Sequence, residues 1–143
     1  GVEHLTAKAP GSVFNPLRID EDIVKDRMHL PYQNGREVFK NAVKRMPEAI
    51  NVALEHNNLS VDDVSLVVAH QANRRILEAC AERMKLPMEK MYINIQKYGN
   101  TTAATIPIAL CEAIEEGKFS KGDNIILTAF GAGYTWASAA IKW

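Results

Sequence analysis

The sequence predicts an α/β domain in which helices pack on a layered, mixed β-sheet, and three observations carry that prediction. Residues 64–69 form a short continuous apolar run, the pattern of a strand buried on both faces. On either side of it apolar residues recur at three- and four-residue steps, the period of an amphipathic helix. Two β-rich runs, residues 124–130 and 134–143, close the chain and are joined through Gly131-Ala132-Gly133. The resulting order β-α-β-α-β-α-β-β implies a sheet with at least one antiparallel edge.

The elements follow in order. An initial strand is expected over residues 2–7, followed by a long irregular excursion to Asn34, because Pro10-Gly11, Asn15-Pro16 and Pro31 interrupt any period. From Gly35 onward Val38, Phe39, Ala42, Val43, Met46, Ala49, Ile50, Ala53 and Leu54 mark one face of a helix ending near His56-Asn57-Asn58. Pro47 lacks an N–H, so it should kink this helix or start a second segment after Met46. Ser60-Val61-Asp62-Asp63 reads as a capped turn into the buried strand. The next helix, residues 72–85, buries Ile76, Leu77, Cys80, Ala81 and Met84 and stops at Leu86-Pro87. A short strand over residues 91–95 and a helix over residues 102–116 complete the pattern. Pro107 is tolerable only in that helix's early turns, and Gly117 is its C-cap.

Composition narrows the function. A length of 143 residues fits one domain, and 47% hydrophobic content supplies a core. Seventeen basic residues balance seventeen acidic ones, which removes the general electrostatic case for nucleic-acid binding. No stretch is apolar enough for a membrane span, Gly1 opens no leader peptide, and the expected location is the cytoplasm. The two cysteines have no metal-type spacing, so a reduced compartment and no metal site are expected. Because Gly1 is not methionine, the chain is expected to be part of a longer polypeptide. The clusters Lys40/Lys44/Arg45 and Arg74/Arg75/Arg83/Lys85 read first as solvated helix faces with mixed salt bridges.

Two polar residues stand where chemistry is placed in such folds. His70 ends the buried strand, at the carboxyl edge where open α/β sheets put ligands. Asn100 lies on the loop before a helix starting near Thr101 or Thr102, so its amide and nearby backbone N–H groups can face a developing negative charge. Taken alone, each has an ordinary structural reading, as a satisfied histidine and as a turn asparagine beside glycine. Together they form a pair of neutral donors able to stabilise an enolate. Cys80 and Cys111 fall at mid-helix apolar positions, away from the helix N-termini that activate thiols, and are assigned to packing. Gly131-Ala132-Gly133 is either a tight hairpin or a turn that presents backbone N–H groups to a ligand.

His70-Gln71-Ala72-Asn73-Arg74-Arg75-Ile76 and the run from Asn94 to Ala104 resemble signatures of β-ketoacyl-[acyl carrier protein] synthase III. Gly35-Arg36-Glu37-Val38-Phe39-Lys40 and Phe130-Gly131-Ala132-Gly133-Tyr134-Thr135-Trp136 match in the same order. The family is a thiolase-fold condensing enzyme about twice as long, so the resemblance implies a thiolase-like carboxyl half. It implies that His70 and Asn100 hold a malonyl thioester oxygen during decarboxylation. The acyl-accepting cysteine would come from an amino half, and the Ala132 N–H would serve the oxyanion opposite that cysteine. It further implies that Arg75, extended by Arg74 and Lys40, docks acyl carrier protein, with Phe39 and Asn73 along the pantetheine arm. Acyl-CoA and phosphopantetheine thioesters would be substrates, with no separate cofactor, and the complete enzyme would be a homodimer. Departures are Ala132 where the family commonly has glycine, Gln33 where it commonly has methionine, and no nucleophilic cysteine. Two other readings stay open: a non-catalytic carrier-binding or interface module, and half of a secondary-metabolite ketosynthase.

Overall fold

The computed structural model describes residues 1–9 and 19–143. The breakers Pro10-Gly11 and Asn15-Pro16 therefore lie outside the described residues. The chain divides into two compact units, Gly1–Phe39 with Gly131–Thr135, and Lys40–Phe130 with Trp136–Trp143.

In the first unit, β1 (Leu5–Thr6) pairs antiparallel with β2 (Tyr32–Gln33), Leu5 opposite Gln33. The strand expected over residues 2–7 shortens to two residues because the chain turns just before it, His4 N–H donating to Gly1 O at 3.0 Å. Within the expected irregular excursion the chain forms a helix, α1 (Glu21–Lys25), as well as β2. Asp20 caps α1 by accepting from Ile23 N–H at 2.8 Å, Glu21 and Asp22 suit its positive end, and Ile23 is buried.

α2 (Gly35–His56) runs unbroken through Pro47, which rules out a second segment after Met46. The proline removes one donor to the Val43 carbonyl. The apolar face of α2 nevertheless buries Val38, Ala42, Met46, Ile50, Ala53 and Leu54, and that burial outweighs one lost hydrogen bond.

The second unit is built on β3 (Leu66–Ala69), buried along its whole length, which pairs parallel with β4 (Asn124–Gly131). β5 (Thr135–Lys142) completes the three-stranded order β3-β4-β5. It runs antiparallel to β4, since Trp143 bonds Asp123 at one end and Ser138 bonds Thr128 further along. Ahead of β3, Asp63 closes the expected turn by accepting from Ser60 N–H at 2.8 Å and Ser60 Oγ–H at 2.6 Å.

α3 (Arg74–Met84) buries the five residues expected of it, and Lys85 ends it in a left-handed conformation, φ +56°. α5 (Thr105–Glu115) follows a single 3-10 turn, Thr102–Ala104, so the helix starts three residues later than expected. Its end is a Schellman turn: Gly117 N–H donates to Ile114 O and Lys118 N–H to Ala113 O. Gly117, at φ +64°, sits one residue beyond the cap Glu116. Leu66, Val68 and Ile125 of the sheet share one core cluster with Ala109 and Ala113 of α5, Tyr92 and Phe119.

The strand expected over residues 91–95 does not form. Met91 makes one parallel bridge to Val67. The ladder then ends because the Gln71 side chain takes the next backbone groups, and the chain coils into α4 (Ile95–Tyr98).

Candidate active site

His70 follows the last residue of β3, and its backbone N–H still donates to Thr128 O at 2.8 Å. The strand end thus fixes the histidine's backbone on a buried ladder. Its Nδ1 lies 2.6 Å from the hydroxyl of Thr105, the first residue of α5. Thr105 Oγ lies 3.0 Å from Thr102 O, and Thr102 N–H donates to Asn100 Oδ1 at 3.0 Å. Thr105 and Thr102 therefore link the two residues singled out in the sequence. No described residue pairs with His70 Nε2 or Asn100 Nδ2. Partial burial lowers the His70 pKa, which favours the neutral ring.

The asparagine loop holds a backbone conformation that would not form without support. Thr102 adopts φ +54°, unfavourable for a β-branched residue, and the Asn100 carboxamide oxygen holds its N–H there. The Thr102 N–H is consequently engaged within the loop, and it is the Asn100 side-chain amide that remains as a donor. This narrows the expectation that nearby backbone N–H groups share the role.

Two further residues position the site, and sequence reasoning assigned them no part. Gln71 is 1% exposed, and its amide donates to Ala69 O at 2.9 Å and Tyr92 O at 3.1 Å while its oxygen accepts from Asn94 N–H at 3.1 Å. It ties the end of β3 to the segment that leads to Asn100. The signal was present, since a glutamine directly after an apolar strand must find buried partners. Glu112 of α5 anchors the same segment from the other side. Its carboxylate accepts from Asn94 Nδ2 at 2.9 Å, Lys97 Nζ at 2.6 Å and Tyr98 Oη at 3.2 Å.

The Lys97 ammonium and then the Asn94 amide hold the Glu112 carboxyl down from 4.5 to about 2. A carboxyl lowered on folding adds stability that is complete above the unfolded value and is lost as pH falls through the folded one. Denaturation midpoints should therefore drop as pH falls from about 4.5 towards about 2. Glu112→Gln should flatten that part of the profile relative to the parent; parallel profiles would contradict the anchoring role.

Cys80 is buried and its thiol is pushed up to about 12, as packing requires. Cys111, in contrast, is exposed on α5, which corrects its assignment to packing. The three-to-four-residue step placed it with the apolar set, but α5 turns Thr105, Ala109 and Ala113 to the core instead. Its mid-helix position still lacks an N-terminal field.

Asn73 is the N-cap of α3, its oxygen accepting from Arg75 N–H at 2.9 Å. Arg75 is exposed, whereas Arg74 pairs with Glu78 at 2.8 Å, and Lys40 is exposed on α2. Arg45 is held by Glu48 at 2.8 Å and lies over the Trp136 ring, 5.0 Å from its centroid. In the first unit, Phe39 is 36% exposed. Ala132 keeps an ordinary negative φ, while Gly133 takes φ +134°, where a Cβ would stand 2.9 Å from Thr135 Cγ2. Alanine is thus accommodated at the middle position, and glycine is required at the next.

Residues 54–143 match the family described as 3-oxoacyl-[acyl-carrier-protein (ACP)] synthase III C terminal. The chain belongs to the β-ketoacyl-[acyl carrier protein] synthase III family. It is 48% identical over 143 residues to the β-ketoacyl-[acyl-carrier-protein] synthase III of Chlorobium phaeobacteroides, covering 100% of this chain and 43% of that protein. Among solved structures, the synthase III of Thermus thermophilus aligns with TM-score 0.83 at 41% identity, covering 100% of this chain and 42% of that one. The synthase III of Pseudomonas aeruginosa aligns with TM-score 0.86 at 33% identity, covering 99% and 42%. The chain spans less than half the length of these relatives and has the thiolase-like fold of their carboxy-terminal part. Among the described residues no helix is long and apolar enough to cross a membrane.

Proposed function

We propose that this chain is the carboxy-terminal part of a β-ketoacyl-[acyl carrier protein] synthase III that starts fatty acid synthesis, an acyltransferase working by decarboxylative Claisen condensation. The single observation that best supports this reading is the linkage of His70 to Asn100 through Thr105 and Thr102. It leaves one nitrogen on each end residue to meet a thioester oxygen. As carbon dioxide leaves malonyl thioester, the electron pair of the broken C–C bond moves into an enolate whose oxygen is met by His70 and Asn100. The carbanion form then attacks an acyl-cysteine of an amino half, expelling its thiolate, while the Ala132 N–H faces the acyl oxygen. Arg75, with Arg74 and Lys40, receives the acidic carrier protein, and Phe39 and Asn73 lie along the pantetheine arm. CoA and phosphopantetheine thioesters enter as substrates, no separate cofactor takes part, and the complete enzyme is a cytoplasmic homodimer.

The test is acylation mapped by mass spectrometry. When the chain is joined to a family amino half and incubated with acyl-CoA, the acyl group should be found on the amino-half cysteine, with malonyl-dependent condensation following. A stoichiometric adduct on Cys80 or Cys111 would overturn the division of labour.

A further inference from the structure

We propose that Glu112 is a positioning residue that sets where the Asn100 amide stands, by clamping the segment that leads to it onto α5. The inference deepens the reading of Asn100 as a donor to the thioester oxygen and rests on it.

Asn100 lies on a loop whose two ends both meet α5. One end is covalent, since the turn Thr102–Ala104 runs directly into Thr105. The other end is α4, a single turn over Ile95–Tyr98, and a helix that short does not hold itself in water. Its place is therefore fixed from outside. Asn94, Lys97 and Tyr98 bring their polar atoms to the one Glu112 carboxylate, at 2.9, 2.6 and 3.2 Å. Asn94 stands at the N-cap of α4, yet its side chain makes no capping bond and reaches α5 instead. The Glu112 side chain is only 13% exposed, and the Tyr92 hydroxyl, pushed up by burial and then by Glu112, keeps its proton against the same carboxylate. Gly99 N–H closes onto Ile95 O at 2.7 Å, and Asn100 follows at once, so a shift of α4 passes straight to the amide. Glu112 follows Thr105 by about two helical turns, which puts both on one side of α5. Thr105 lies against His70 and Glu112 against α4, so this helix sets the spacing between the two residues of the site. Because α5 packs on the core through Thr105, Ala109 and Ala113, loss of the Glu112 charge loosens α4 before it disturbs that packing. Glu112 touches neither substrate nor reacting atom; it acts through Asn100.

The experiment measures malonyl-thioester decarboxylation by the joined protein in the parent, Glu112→Gln, Asn100→Ala and the double variant. Glu112→Gln should lower kcat about tenfold with KM nearly constant, because a donor displaced by part of an ångström no longer meets the developing charge. In the Asn100→Ala background the same change should alter kcat less than about twofold, since no amide remains to be positioned. Lys97→Met combined with Asn94→Ala, which breaks the contacts from the α4 side, should repeat the loss with Glu112 in place. Placement is also read without turnover, from the side-chain amide signals of ¹⁵N-labelled asparagine, with Asn100→Ala assigning the pair. Glu112→Gln should shift and broaden the Asn100 signals. An unmoved Asn100 amide, or a kcat loss as large in Asn100→Ala as in the parent, would overturn the proposal. If Asn100→Ala itself leaves decarboxylation intact, the reading of Asn100 fails, while the amide signals still show whether Glu112 places that side chain.

Discussion

His70→Ala, in the chain joined to a family amino half, lowers malonyl-thioester decarboxylation by about 10²–10³-fold, and Asn100→Ala does so to a similar degree. The donors meet charge that exists only as the carboxylate departs, so the loss falls on kcat while the KM for malonyl thioester changes little. On the proposed reading both residues serve one oxygen, and they share the Thr105–Thr102 link, so the double variant should lose less than the product of the two single losses. A merely structural histidine would show a different pattern, a lower unfolding midpoint with the rate of the folded protein intact. Decarboxylation rates and unfolding midpoints measured on the same preparations separate the two.

Gln71→Ala destabilises the protein by roughly 2–4 kcal/mol, the expected cost of leaving several buried polar groups unpaired. The alanine strands three partners together: the carbonyls of Ala69 and Tyr92 and the N–H of Asn94. Gln71→Glu should also destabilise, since a carboxylate can still accept from Asn94 but cannot donate to the two carbonyls. Urea unfolding of both variants measures this. A change below about 0.5 kcal/mol for Gln71→Ala would show that water or backbone rearrangement satisfies those groups.

The sequence made legible those parts of the fold that repeat one physical pattern. α2 and α3 show a sustained helical period, and β3 is a continuous apolar run, so their places follow from burial alone. What was lost depends on single side chains acting at a distance. The strand expected over residues 91–95 looks correct by composition. It fails because Gln71, some twenty residues earlier, captures the groups that a ladder would have used. α1 is only five residues long and rests on the Asp20 cap, below the length at which a period can be read. Cys111 sits in an apolar run, but the helix exposes it, because the run in α5 is apolar on more than the buried face. At the site, His70 and Asn100 could be found as polar residues at element ends, and Asn73 and the basic residues were named through family resemblance. Thr105 and Glu112 carry no such mark, since a threonine and a glutamate in a helix are ordinary until their partners are known.

In the proposed mechanism His70 and Asn100 hold one oxygen between them. A crystal structure of the joined protein with a non-decarboxylating malonyl-thioester analogue tests this most directly. The thioester carbonyl oxygen should lie about 3 Å from both His70 Nε2 and Asn100 Nδ2. An analogue bound with that oxygen on other donors, or with the two side chains facing opposite sides of the sheet, would contradict it.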